Sequence, residues 1–235
     1  MSPAAEAPEP RRRRGWRVLL GGVVVVGLAV AVALSPVLDV DTVTVAGTTA
    51  DRVPAVERAA GVTRGSPLLG VVPGRVEARL RALPWVADAV VERRFPGAVT
   101  IRVVPRVAVG VVRVGERFLV VDGTGRVIER VGAPPAGVPE LVGVAAPAPV
   151  GGRVRPTALG VVADALGAEL RGRVTSVART ETGLVAQVRD GPQLRFGTVD
   201  RAGVKARVAA AVLASPAAAQ ARYIDVSVPA APVSG

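Results

Sequence analysis

The sequence predicts an α+β protein: a single N-terminal transmembrane helix, a small β-α-α-β-β module, then a mostly antiparallel β domain with flanking helices. Three observations carry this reading. Residues 18–38 are 21 consecutive uncharged positions behind a run of arginines. Between residues 40 and 107, two stretches with helical apolar spacing sit among strand-like runs. From residue 108 onward, short β-favouring runs recur between Gly-, Asp- and Pro-rich turns.

Composition narrows the chemistry. The 235 residues are 50% hydrophobic and 21% charged, which suits one or two folded domains with substantial cores and not wholesale disorder. The chain has no Cys and no His. Disulfides, thiolate nucleophiles, cysteine–zinc sites, histidine bases and Ser-His-Asp triads are thereby excluded. The net charge of +11 is almost wholly arginine, with Lys205 the single lysine. Such a bias fits a GC-rich genome and by itself says little about function.

The N-terminal elements follow in order. Residues 1–17 form a cytoplasmic basic tail whose first ten positions, MSPAAEAPEP, are expected to be disordered. Five arginines fall within residues 11–17, and Asp39 and Asp41 follow the apolar run. The positive-inside rule therefore puts the N-terminus in the cytoplasm and residue 39 onward outside the plasma membrane. As a helix, residues 18–38 would be about 31 Å long, the thickness of a bilayer core. Trp16 and Arg17 sit where an interfacial anchor would sit. A cleaved signal peptide is the alternative, since Ala31-Val32-Ala33 fits the small-x-small pattern. The apolar run is longer than the roughly 7–15 residues such signals use. Residues 39–235 carry 25 basic and 17 acidic side chains, scattered, and aromatics make up 3% of the chain. No nucleic-acid surface is expected from this pattern.

The first module covers residues 39–107. Val40, Thr42 and Thr44 open a strand that Gly47 ends. Asp51 can cap a short helix over 53–60, with Pro54 in its first turn and Gly61 as its stop. A second helix over 75–82 presents Val76, Leu80 and Leu83 on one face. Two strands, 86–94 and 98–104, flank the Phe95-Pro96-Gly97 turn, with Val99, Ile101 and Val103 on one face.

The second block, 108–228, reads as strands near 109–114, 117–121 and 126–130. A Pro/Gly-rich loop over 132–156 is expected to cross the surface, and a helix is expected over 157–170. Strands near 174–180, 184–189 and 193–197 come next, then a helix over 201–214 capped by Asp200. Residues 223–228 form the final strand and 229–235 a tail.

Several stretches together resemble the bacterial cell-division protein family FtsQ, called DivIB in some Gram-positive bacteria. In the first module they are Leu83-Pro84-Trp85-Val86, then Val90-Val91-Glu92-Arg93-Arg94-Phe95-Pro96-Gly97, and Ile101-Arg102-Val103. Arg106 and Val109 resemble part of the family's Glu-Arg-x-Pro-Val junction, with Pro105 and Ala108 in place of its Glu and Pro. In the second block they are Phe118 to Gly125, Phe196-Gly197 ahead of Lys205, and Tyr223-Ile224-Asp225-Val226-Ser227-Val228-Pro229. The resemblance implies that the first module is a POTRA domain. It implies a non-catalytic scaffold of the division septum that holds partners outside the membrane. Those partners would be FtsB-like and FtsL-like proteins and, through them, the septal peptidoglycan synthase complex.

The candidate site is the closing strand. It comes last in the chain and is expected at a sheet edge, where unpaired N–H and C=O groups invite a partner strand. The family's FtsB contact lies there, which assigns Tyr223, Ile224, Asp225, Val226, Ser227 and Val228 as partner-binding. The alternative is an edge covered by the tail. Trp85 reads as a packing residue, Asp122 as a turn former, and Lys205 as part of a solvated basic face beside Arg201 and Arg207, while the resemblance implies a docking or capping role for Lys205 in the β domain. No catalytic residue, cofactor, metal site or small-molecule substrate is expected. Two rivals differ in class: a POTRA-type factor that handles unfolded clients, and a cell-wall hydrolase using Asp122 with Glu129.

Overall fold

The structure, a computed structural model, describes residues 16, 19–27, 38–145 and 148–235. Residues 19–27 are helical, and Leu19, Leu20 and Val23 to Val26 are exposed on them. The tail expected at 1–10, Arg17 and most of the expected span 18–38 lie outside the described residues. Among the described residues no helix is long and apolar enough to cross a membrane. Two compact units follow. The first runs to Leu80 and includes Asp88–Val103; the second comprises Arg81–Ala87 and Val104–Gly235.

The first unit has the expected β-α-α-β-β order: β1 (Thr42–Ala46), α1 (Val53–Ala60), α2 (Pro73–Ala82), β2 (Val86–Arg94) and β3 (Ala98–Pro105). The sheet order is β1-β3-β2, with β1 parallel to β3. Pro54 lies in the first turn of α1, where its missing N–H costs nothing, and Gly61 ends the helix in the left-handed conformation. Asp51 does not cap α1: it lies inside a 3-10 turn, Ala50–Arg52, and the helix starts without a side-chain cap. The alternation in β3 holds, with Val99, Ile101 and Val103 buried and Arg102 exposed. Val76 and Leu80 of α2 are buried. Gly47 leaves β1 at positive φ, and a Cβ there would collide with the Val103 carbonyl.

The second unit is built on β4 (Gly110–Val114), β5 (Arg117–Val121), β6 (Val127–Val131), β7 (Glu140–Val142), β8 (Val174–Thr180), β9 (Gly183–Val188), β10 (Gln193–Gly197), β11 (Tyr223–Asp225) and β12 (Val233–Ser234). They form one nine-stranded sheet in the order β12-β11-β10-β9-β8-β7-β4-β5-β6. Two antiparallel meanders, β4-β5-β6 and β8-β9-β10, are joined through β7, which runs parallel to β4 and to β8. The stretch expected to be loop over 132–156 therefore supplies a central strand. Three residues, Glu140-Leu141-Val142, suffice because Leu141 enters the core.

The helix expected over 157–170 is two: α3 (Ala158–Ala165) and α4 (Gly167–Arg173), broken where Gly167 takes positive φ. These helices and α5 (Ala202–Leu213) bury Leu159, Val162, Leu170 and Ala206 with sheet residues Leu119, Val177, Phe196 and Ile224. A second cluster, Val111, Phe118, Val120 and Ile128, receives Trp85, whose carbonyl accepts the Arg106 N–H at 2.8 Å. Trp85 is a packing residue, as its place after Pro84 predicts.

Candidate partner-binding edge

The closing strand is delivered by α5. Helix α5 carries the chain from the end of β10 back to its start, so β11 lies parallel to β10, with Gln193 opposite Tyr223, Leu194 opposite Ile224 and Arg195 opposite Asp225. Asp200 does not cap this helix; Arg201, at positive φ, occupies the cap position without a side-chain bond. Lys205 is not on a solvated face. It is 3% exposed, and its Nζ donates to the carbonyls of Phe196 at 2.9 Å and Thr198 at 3.0 Å. A buried ammonium survives only with such partners. Here it ties the end of β10 to α5 directly beside the site.

Each candidate residue has a distinct position. Ile224 and Val226 are fully buried and serve the core. Tyr223 is half-buried, with the Arg195 guanidinium 3.9 Å from its ring centroid. The N–H of Val226 donates to the Arg195 carbonyl at 2.9 Å, extending the pairing with β10 by one residue. Asp225 Oδ1 accepts the Ser227 N–H at 2.8 Å. Hydrogen bonds from Ser227 are the main cause that holds the Asp225 carboxyl below the usual carboxylate range; burial opposes them, and Arg195 and Lys205 add attraction. Ser227 and Val228 are exposed in the turn that follows.

The strand expected over 223–228 is therefore only Tyr223–Asp225, and it is not the outermost strand. The tail expected at 229–235 turns back, with the Ala231 N–H bonded to the Val228 carbonyl at 3.0 Å, and lays β12 along β11. Ile224 pairs with Ser234 and Asp225 with Val233. This hairpin carries no sequence signal: two prolines and small residues precede a two-residue strand held by main-chain bonds.

Asp122 is a turn former. Its Oδ1 accepts bonds from the Thr124 N–H, the Thr124 hydroxyl and the Arg126 N–H, and its Oδ2 lies 2.7 Å from Arg106 Nη1. Burial pushes its pKa up. The bonds from Thr124, Arg106 and Arg126 outweigh burial and hold the carboxyl below its ordinary value. Both oxygens are engaged, so a hydrolase role with Glu129 finds no free carboxylate at Asp122. Among the described residues no group of three or more Asp and Glu side chains is placed to hold a metal ion. Trp16 is exposed, and Arg17 lies outside the described residues.

The fold defines a class: an α+β chain with a POTRA-type module ahead of a larger sheet whose last strands form a hairpin. The family profile for the POTRA domain, FtsQ-type, matches residues 38–106. Cell division protein FtsQ of Streptomyces venezuelae is 35% identical over 187 residues, covering 76% of this chain and 68% of that protein. Cell division protein FtsQ of Streptomyces collinus is 32% identical and covers 98% of this chain and 93% of that protein. The Mycobacterium leprae protein of the same name is 31% identical over 99% of this chain and 68% of its own length. The chain belongs to the FtsQ family.

Proposed function

We propose that this chain is a non-catalytic scaffold of the bacterial division septum. It is held in the plasma membrane by residues 18–38 with its bulk outside, and it binds other division proteins there. The observation that carries the reading is the length of the likeness: a cell-division relative matches 98% of this chain, from the N-terminal segment through both units. The partners are FtsB-like and FtsL-like proteins, and the assembly would position and regulate the septal peptidoglycan synthases.

Docking is assigned to the Tyr223 end of the nine-stranded sheet. Its available side chains are Tyr223, Asp225, Ser227 and Val228; Ile224 and Val226 hold the strand in place from the core. Each main-chain bond gained on strand addition contributes about 0.5–1.5 kcal/mol net, and side-chain contacts along the strand supply selectivity. The test is co-purification of the full chain with the FtsB-like and FtsL-like proteins of the same bacterium. Tyr223→Lys should abolish recovery of the FtsB-like protein while thermal unfolding stays cooperative. Undiminished recovery would refute the site. A fluorescent fusion that shows no mid-cell band would refute the septal role.

A further inference from the structure

The docking edge is already occupied, and by very little. The N–H groups of Arg222 and Tyr223 both donate to the Gly235 carbonyl, at 2.7 and 2.9 Å, and the Gly235 N–H donates to the Tyr223 carbonyl at 3.2 Å. These are the bonds that an incoming strand would need. Yet no side chain of residues 230–235 is buried, and Val233 is 56% exposed. Pro229 and Pro232 donate no main-chain bond. The two strands this hairpin adjoins are anchored quite differently: Ile224 and Leu194 are fully buried side by side.

Where the segment crosses Tyr223, Gly235 lies against the outer end of the tyrosine ring. A Cβ at position 235 would come 2.9 Å from the Tyr223 hydroxyl oxygen and 3.0 Å from the ring carbon that bears it. The seat beside the ring, whose face Arg195 covers, takes glycine without adjustment. Arg222 is exposed at the mouth of the same strand.

We infer that residues 233–235 are a displaceable placeholder on the edge of β11, exchanged for an extended partner segment that runs antiparallel to β11 and takes over its main-chain bonds. This rests on the docking reading above and adds what the partner must displace. A strand longer than two residues reproduces the same three main-chain bonds and adds side-chain burial that the resident lacks, so exchange favours the partner. The chain's own segment, tethered through one turn, has the advantage of high local concentration and keeps the edge closed when the partner is absent.

The test compares the full chain with a version ending at Ala231 and with Val233→Pro, which keeps the length but removes an N–H and disfavours pairing. The probe is the FtsB-like protein recovered in the preceding experiment. Both variants should bind it more tightly, on the order of tenfold, because a larger fraction of the chain is competent. In the free full chain the Arg222 and Tyr223 amides should exchange with solvent far faster than the Val226 amide. In the complex they should become protected. Equal affinity of all three proteins, or weaker binding by both variants, overturns the placeholder while leaving the docking site intact. Binding that is insensitive to Tyr223→Lys overturns the docking site itself, and the placeholder with it. Arg222 and Tyr223 amides as slow as Val226 in the free chain would show a permanent strand and also overturn it.

Discussion

The nine-stranded sheet has two ends, and at each the chain itself covers part of the outer edge. At the β6 end, the Val127 N–H donates to the Gly152 carbonyl and the Val127 carbonyl accepts the Gly151 N–H, each at 2.8 Å. Two residues on, Val154 is fully buried in the main core and its N–H donates to the Gly125 carbonyl. At the β11 end the covering segment makes comparable main-chain bonds but buries no side chain. Main-chain bonds close an edge in either case. What separates a permanent cover from a removable one is a buried apolar anchor, because apolar burial adds free energy that a strap exposed to water does not gain.

The comparison can be broken most forcefully at Asp122, which shapes the turn leading into β6. Asp122→Ala removes a buried acceptor of four bonds and strands Arg106, an ion pair whose side chains are 20% and 7% exposed. The expected loss is roughly 3–5 kcal/mol, read by denaturant unfolding. The same carboxylate gives a pH dependence. Its folded pKa lies below the unfolded value of about 3.9, so its stabilisation is fully present above that value and is lost as pH falls through the folded pKa. Acid unfolding of Asp122→Asn should lack this component. If the variant and the parent lose stability in parallel on acidification, the assignment is wrong.

A smaller effect is expected from Val154→Ala. Removing two buried methyl groups should cost roughly 2 kcal/mol and speed exchange of the Val127 amide. Should the Val127 amide stay slow, the β6 cover does not depend on its anchor and the contrast between the ends fails. The smallest effect belongs to the other end. Ending the chain at Ala231 should change global stability by less than about 0.5 kcal/mol, since only exposed residues are lost. A loss of several times that amount in a calorimetric scan would show that the two covers are alike.

How legible these features were depends on how local their causes are. Strands 174–180 and 193–197 emerge from the sequence with their observed bounds because alternation and flanking turn residues act within a few positions. Strand β7 was hidden among prolines and glycines, since three residues cannot display a period. Lys205 looked solvated beside Arg201 and Arg207; the carbonyls that bury it belong to Phe196 and Thr198, which no helical periodicity relates to it. At the candidate site, residues 223–228 read as a strand because Tyr223, Ile224, Val226 and Val228 favour extended backbone, and the strand itself is Tyr223–Asp225. The segment that covers them did not, because its pairing uses main-chain atoms common to every residue.

The sequence by itself determined the β-α-α-β-β module, the strands of the two meanders, the turn at Asp122 and the exclusion of cysteine and histidine chemistry. These follow from side-chain identity and short-range spacing. Tertiary structure alone decided that β7 bridges two meanders, that Lys205 is buried, and that β11 is shielded by the chain's own last residues. Each of those depends on main-chain groups distant in sequence meeting in space, and the backbone carries no letter in the sequence to announce where its partners will be.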